Sequence, residues 1–173
     1  IIISVLAVIA LTQNSNDNRI EILKGVSTAL TVNEMPGEIE KLNTKMYQVL
    51  TNQASLNAGN DSMDSVKVQK QIEDLKQSIV VLIDRFEDIK QNKARSEVVR
   101  NQIQEIQDQL NIYQEIVDVI TSMMEIDFTS AVSFVPRFEK AYSEIIGKVI
   151  PVIDSVVKDA KNNAEEQSKK NTK

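Results

Sequence analysis

Apolar residues recur along most of this chain in alternating steps of three and four, the period of a helix that buries one stripe. The clearest stripe runs Val68, Ile72, Leu75, Ile79, Leu82, Phe86 and Ile89. A second runs Val99, Ile103, Ile106, Leu110, Tyr113, Val117, Ile120 and Met124, and a third runs Val135, Phe138, Tyr142, Ile145, Val149, Val152 and Val156. The N-terminal part carries Ile39, Leu42, Met46, Val49, Gln53 and Leu56, with a looser upstream set at Ile22 or Leu23, Val26 and Leu30. The pattern therefore predicts four helices.

The breaks between the stripes can also be read. Carrying the first stripe past Ile89 would put Lys93, Ser96 and Arg100 in the core, so a turn is expected at Gln91 to Ala94. Asn57-Ala58-Gly59-Asn60-Asp61-Ser62 reads as a helix end, with Gly59 following the C-terminus and Asp61 or Ser62 capping the next helix. Asp127-Phe128-Thr129-Ser130 separates the last two segments, with Ser133 as the expected cap and Pro136 in the first turn. Short connections make consecutive helices antiparallel, so the expected fold is an all-α, up-down-up-down four-helix bundle. Its first and fourth helices are long, at about 44 and about 40 residues against about 30 for the middle pair. Both chain ends then meet at one pole. Pro36 and Pro151 interrupt the long helices, either as bends at similar heights or, at Pro36-Gly37, as the start of a fresh helix.

Composition narrows the function. Only four Gly and three Pro occur, too few for the turns of an all-β fold. With no Cys and no His, thiol and imidazole chemistry and the common zinc and haem ligands are excluded, and no enzyme activity, metal or cofactor is expected. A formal net charge of -5 and the lack of a basic stripe argue against nucleic acid as a partner. The carboxylates Glu73, Asp74, Glu87 and Asp88 alternate with Lys and Arg on outer faces, as solvated helices require.

Residues 1–11, Ile-Ile-Ile-Ser-Val-Leu-Ala-Val-Ile-Ala-Leu, form an apolar run that reads as the end of a membrane span. The chain then turns polar through Thr12 to Arg19, and its other end, Lys158 to Lys173, is polar and rich in Lys. Two regions follow: a span end at 1–11 and an extracytoplasmic domain at 12–173.

Apolar span, polar exit at Leu11 to Asn14, four helices with a long outer pair and a polar return: this order resembles the four-helix-bundle sensor domain of methyl-accepting chemotaxis receptors. Histidine-kinase sensor domains share the layout, and a membrane-tethered helical scaffold without ligand gating is the alternative of a different class. The resemblance implies a periplasmic domain held at the inner membrane by flanking spans. It also implies a homodimer packed through the first helix, and a small ligand bound near the membrane-distal end between the first and fourth helices. Members that sense amino acids use arginines on the first helix, and Lys41-Leu42-Asn43-Thr44-Lys45-Met46-Tyr47-Gln48 contains none. An anion or organic acid is the ligand class left open.

Two sets of residues are candidates for holding it. Lys41, Lys45, Gln48 and Asn52 lie off the apolar stripe of the first helix, on a face free to meet a ligand or partner. Thr129, Ser130, Ser133 and Arg137 gather at a helix start, where free N–H groups, the helix dipole and a guanidinium can together hold an anion. Arg137 is the strongest single candidate.

Overall fold

A computed structural model of the chain describes residues 16–59, 64–92 and 95–170. Those residues are all helix and turn, with no strand among them. In chain order the helices are α1 (Asn16–Asn57, 42 residues), α2 (Ser65–Gln91, 27), α3 (Glu97–Met123, 27), the short α4 (Phe128–Ser133, 6) and α5 (Val135–Lys170, 36). The expected membrane-span end at residues 1–11 lies outside the described residues. Among the described residues no helix is long and apolar enough to cross a membrane.

The stripes read from the pattern are the core. All seven positions of α2 and all eight of the second stripe are buried. In α5 the line shifts: Ala141 is buried where Tyr142 was expected, and Tyr142 and Val135 are half-buried beside it. Ala141 lies three residues after Phe138 and four before Ile145, both buried, so it continues their helical phase and Tyr142 falls one step beside it. In α1 the upstream stripe needs correction, because Ala29, Val32 and Met35 are buried while Leu30 faces solvent. The side chains of Ile22, Leu23 and Val26 lie outside the described residues. Gln53 is buried, as its stripe position predicts, and its Nε2 donates to Asn57 Oδ1 at 2.9 Å.

Pro36 does not start a new helix. It sits within α1, as Pro151 does within α5, each lacking one N–H donor. Met35 and Ile39 are buried on either side of Pro36, and packing of that stripe offsets a cost of about 3 kcal/mol for proline in a helix.

The termini follow capping chemistry with two changes from expectation. Gly59 takes φ +77, the left-handed conformation that ends α1, and its N–H donates to the Leu56 carbonyl at 3.0 Å. Asp64 caps α2, its carboxylate accepting from Val66 N at 2.9 Å, in place of Asp61 or Ser62, which lie outside the described residues. Ser96 caps α3. Asp127, not Ser133, is the cap after the last turn, and it opens the separate helix α4. The Ser133 hydroxyl donates back to the Ser130 carbonyl at 2.6 Å, within the turn that ends α4.

Each long helix packs on two others: α1 on α2 and α5, and α3 on α2 and α5. Between α1 and α2 the cross-helix partners are Glu38 with Arg85, Lys45 with Ser78 and Asn52 with Gln71. Tyr47 on α1 donates its hydroxyl to Glu139 on α5. Lys76 pairs with Asp118 and Lys148 with Glu105, both at 2.7 Å, tying α3 to its two neighbours. At the α2–α3 turn the buried Arg95, 3 % exposed, donates Nη1 to the Val156 carbonyl at 3.2 Å, and Ser96 N donates to Asp159 Oδ2 at 2.9 Å. Burial lowers the Arg95 pKa while the field of Asp159 raises it.

A polar clasp joins α2 and α3 near that turn. Glu87 accepts from Lys90, from Gln107 at 2.9 Å and from Gln91 at 2.9 Å, and these donors hold its carboxyl down at about 2 against 4.5 ordinarily. A lowered folded-state pKa favours the fold above the unfolded value and loses that contribution as pH falls through the folded one. Thermal unfolding followed by circular dichroism should therefore show Tm dropping between pH 4.5 and about 2. Glu87→Gln, which does not titrate, should shrink the drop; an unchanged profile would assign it elsewhere.

The core also contains a hydroxyl without a partner. Tyr113 is buried against Phe138, ring centroids 5.0 Å apart; its Oη has no hydrogen-bond partner among the described residues, and burial raises its pKa far beyond the usual phenol value. Tyr113→Phe keeps the ring and removes the desolvated oxygen, and chemical denaturation should report a gain of about 1 kcal/mol. A loss of that size would mean the hydroxyl is satisfied in solution.

Candidate functional site

The α1–α2 line that carries Glu38 and Lys45 also shapes a cleft of about 240 Å³. From α1 come Glu38, Lys41, Leu42 and Lys45; from α2 come Gln77, Ser78, Val81, Leu82 and Arg85. Leu42 and Leu82 belong to the core and form its apolar floor, while Val81 is partly exposed at its wall. Heptad spacing explains the meeting. Ser78 and Arg85 are seven residues apart on the edge of α2 that faces α1, and Glu38 and Lys45 are seven apart on the opposing edge.

Three cations and one carboxylate line this space. Arg85 is ion-paired with Glu38, and Lys45 Nζ donates to Ser78 Oγ at 2.7 Å. Ser78 spends its own hydrogen on the Asp74 carbonyl at 2.6 Å, so its oxygen is fixed as the acceptor for Lys45. Lys41 has no hydrogen-bond or ion-pair partner among the described residues. The cleft thus holds excess positive charge over an apolar floor, which suits a small organic anion whose carbon skeleton rests on Leu42 and Leu82.

The structure divides the first set of candidates. Lys41 and Lys45 share the cleft, whereas Gln48 and Asn52 line a shallow depression on the outward side of α1 with Asn43, Thr44, Tyr47 and Thr51. Asn52 is engaged with α2 through its 2.7 Å bond to Gln71 Oε1. Arg85, Ser78 and Gln77 went unread in the sequence. Their heptad offset from the α2 stripe was visible, but which neighbour that edge faces was not.

The second set is brought together around α4, with the Thr129 and Ser130 N–H groups already taken by Asp127. Asp127 Oδ1 accepts from Ser130 N at 3.1 Å, the Ser130 hydroxyl bonds the same carboxylate, and Thr129 N–H adds to the field that lowers the Asp127 pKa. The chain's own carboxylate is the anion at this helix start. Arg137 lies exposed on α5, its guanidinium 5.4 Å from the centre of the Phe134 ring. Among the described residues no cluster of three or more acidic side chains can hold a metal ion.

No protein-family model matches the chain, and no curated protein or solved structure matches it either.

The capping role of Asp127 has a measurable consequence. Asp127→Ala should lower the unfolding free energy by about 1 kcal/mol, read by denaturant titration. A variant as stable as the parent would show that the α4 N–H groups are satisfied by water and remain free to take an anion.

Proposed function

We propose that the chain is the extracytoplasmic sensor domain of a membrane receptor and that it takes a small organic anion in the α1–α2 cleft. The observation that carries this reading is the convergence of Lys41, Lys45 and Arg85 over Leu42 and Leu82, with Lys41 unpaired. The architecture proposed with it is an antiparallel up-down-up-down bundle with long outer helices. In its support, partners on α1 and α2 run in opposite order, Glu38, Lys45, Asn52 against Arg85, Ser78, Gln71. Partners on α3 and α5 do the same, with Glu105 and Tyr113 against Lys148 and Phe138. The apolar opening at residues 1–11 and the polar exit that follows support tethering at a membrane and a periplasmic location.

An anion bridging Lys41 on α1 and Arg85 on α2 competes with Glu38 for the guanidinium. Its binding energy then depends on the spacing of the two helices, and only such a difference lets a ligand shift their arrangement. A tethered scaffold, the rival reading, has no need of an unpaired lysine facing an open cleft.

Thermal-shift and calorimetric titration of the chain with mono- and dicarboxylates tests the proposal. A ligand at a hundred times its Kd should add about 2.7 kcal/mol of stability. Lys41→Ala and Arg85→Ala should each weaken binding by about tenfold, the worth of one charge-assisted hydrogen bond, while Arg137→Ala leaves it unchanged. Binding insensitive to Lys41 and Arg85 would move the site, and no binding across the panel would favour the scaffold.

A further inference from the structure

The exposed large apolar residues of α3 and the turn after it do not scatter. Val98 (66 % exposed), Ile112 (44 %), Val119 (40 %) and Ile126 (89 %) are spaced by seven or by fourteen, so they form one line along the edge of the helix. The position that completes the repeat is Glu105, whose charge is met by Lys148 of α5 at 2.7 Å. Half-buried Ile116 and Met123 flank the line, and together they make a second three-and-four seam on a helix whose first seam already fills the core. Bundle packing needs one seam. The second faces outward beside α5.

Charge on the two sides of this line differs in sign. On the free side of α3 are Asp108 and Glu115; on the outer side of α5 are Arg137 and Lys140, with Glu144 held by Lys140 at 3.8 Å. Tyr113 stacks on Phe138, which sets Glu115 and Arg137 at the same level, on opposite sides of the apolar line. Neither has a hydrogen-bond or ion-pair partner among the described residues.

We infer that this face binds a second copy of the chain, in parallel, about a two-fold axis running along the apolar line. Symmetry decides the orientation. An axis along the helices sets the acidic flank of each copy against the basic flank of the other, Glu115 against Arg137 twice over; an axis across them sets like charge against like. Ile112 and Val119 then meet their own equivalents. A strip about 40 Å long and two helices wide supplies about 800 Å² per copy, the size of a stable interface. Among the described residues the outward line of α1, Leu30, Gly37, Thr44 and Thr51, contains one large apolar side chain. The inference stands apart from the anion cleft, which lies on α1 and α2.

The chain has no cysteine, so single substitutions report contacts cleanly. Because the axis brings identical residues together, Val119→Cys and Ile112→Cys should each form a disulfide-linked dimer on mild oxidation of the full chain, their Cα atoms coming within about 7 Å of their equivalents. Thr44→Cys and Gln48→Cys on α1 should remain largely uncrosslinked. Glu115→Arg should suppress crosslinking through Val119→Cys, and adding Arg137→Glu should restore it. Crosslinking through α1 alone, or through none of the four positions, overturns the interface; crosslinking indifferent to the charge reversal overturns the parallel register.

Discussion

Everything in this structure depends on burying one aliphatic stripe per helix in a common core. An isolated helix of 27 residues with this many Lys, Glu and Gln positions gains little from its own hydrogen bonds. What makes α2 and α3 persist is that Ile79, Leu82, Ile106 and Leu110 leave water together. The same force keeps α1 helical through Pro36. The polar residues that do become buried are few: Gln53 at a stripe position, Gln107 and Thr121 beside the stripe of α3, each of which finds a nearby side chain or carbonyl, and Arg95 in the α2–α3 turn, which finds one carbonyl.

Periodicity predicts which face of a helix is buried, and in α2 and α3 it did so at every position. It fails where the deciding fact is a neighbour. Leu30 is more apolar than Ala29, yet Ala29 continues the phase set by Val32, Met35 and Ile39, and phase outweighs hydrophobicity. Tyr142 and Ala141 exchange places for the same reason, since Ala141 keeps the phase of Phe138 and Ile145. The cleft was half legible. Lys41 and Lys45 could be named from α1 alone, but Arg85 and Ser78 join them only once the chain has folded back, and nothing in the spacing of a single helix says which neighbour its edge will face.

Local hydrogen bonding was the other source of error. Three serines and threonines beside an arginine read as an anion site, and the structure instead gives those N–H groups to Asp127. Aspartate is both cap and anion, so a cap and a binding site look alike in sequence. The carboxylate immediately upstream is the feature that tells them apart. Arg137, released from that role, stacks on Phe134 and faces outward with its charge unmatched, which is why it bears on the outer surface of the bundle more than on a pocket.

The proposed cleft and the proposed two-fold face lie on opposite sides of the bundle, so any communication between them has to pass through packed helices. A buried charge lies among those helices. Arg95 reaches from the α2–α3 turn into α5 and uses one of its nitrogens on the Val156 carbonyl, while Nε and Nη2 are buried without partners among the described residues. Leaving such donors unsatisfied costs about 1–3 kcal/mol, the same size as a typical coupling energy between two sites. Asp159, whose Oδ2 accepts from Ser96 N, already biases the Arg95 charge from a short distance along α5. A small displacement of α5 that brought this carboxylate to the free edge of the guanidinium would recover that energy. In the proposed sensor, where one helix shifts against another, a poorly satisfied buried charge at the turn that contacts α5 would lower the cost of moving that helix.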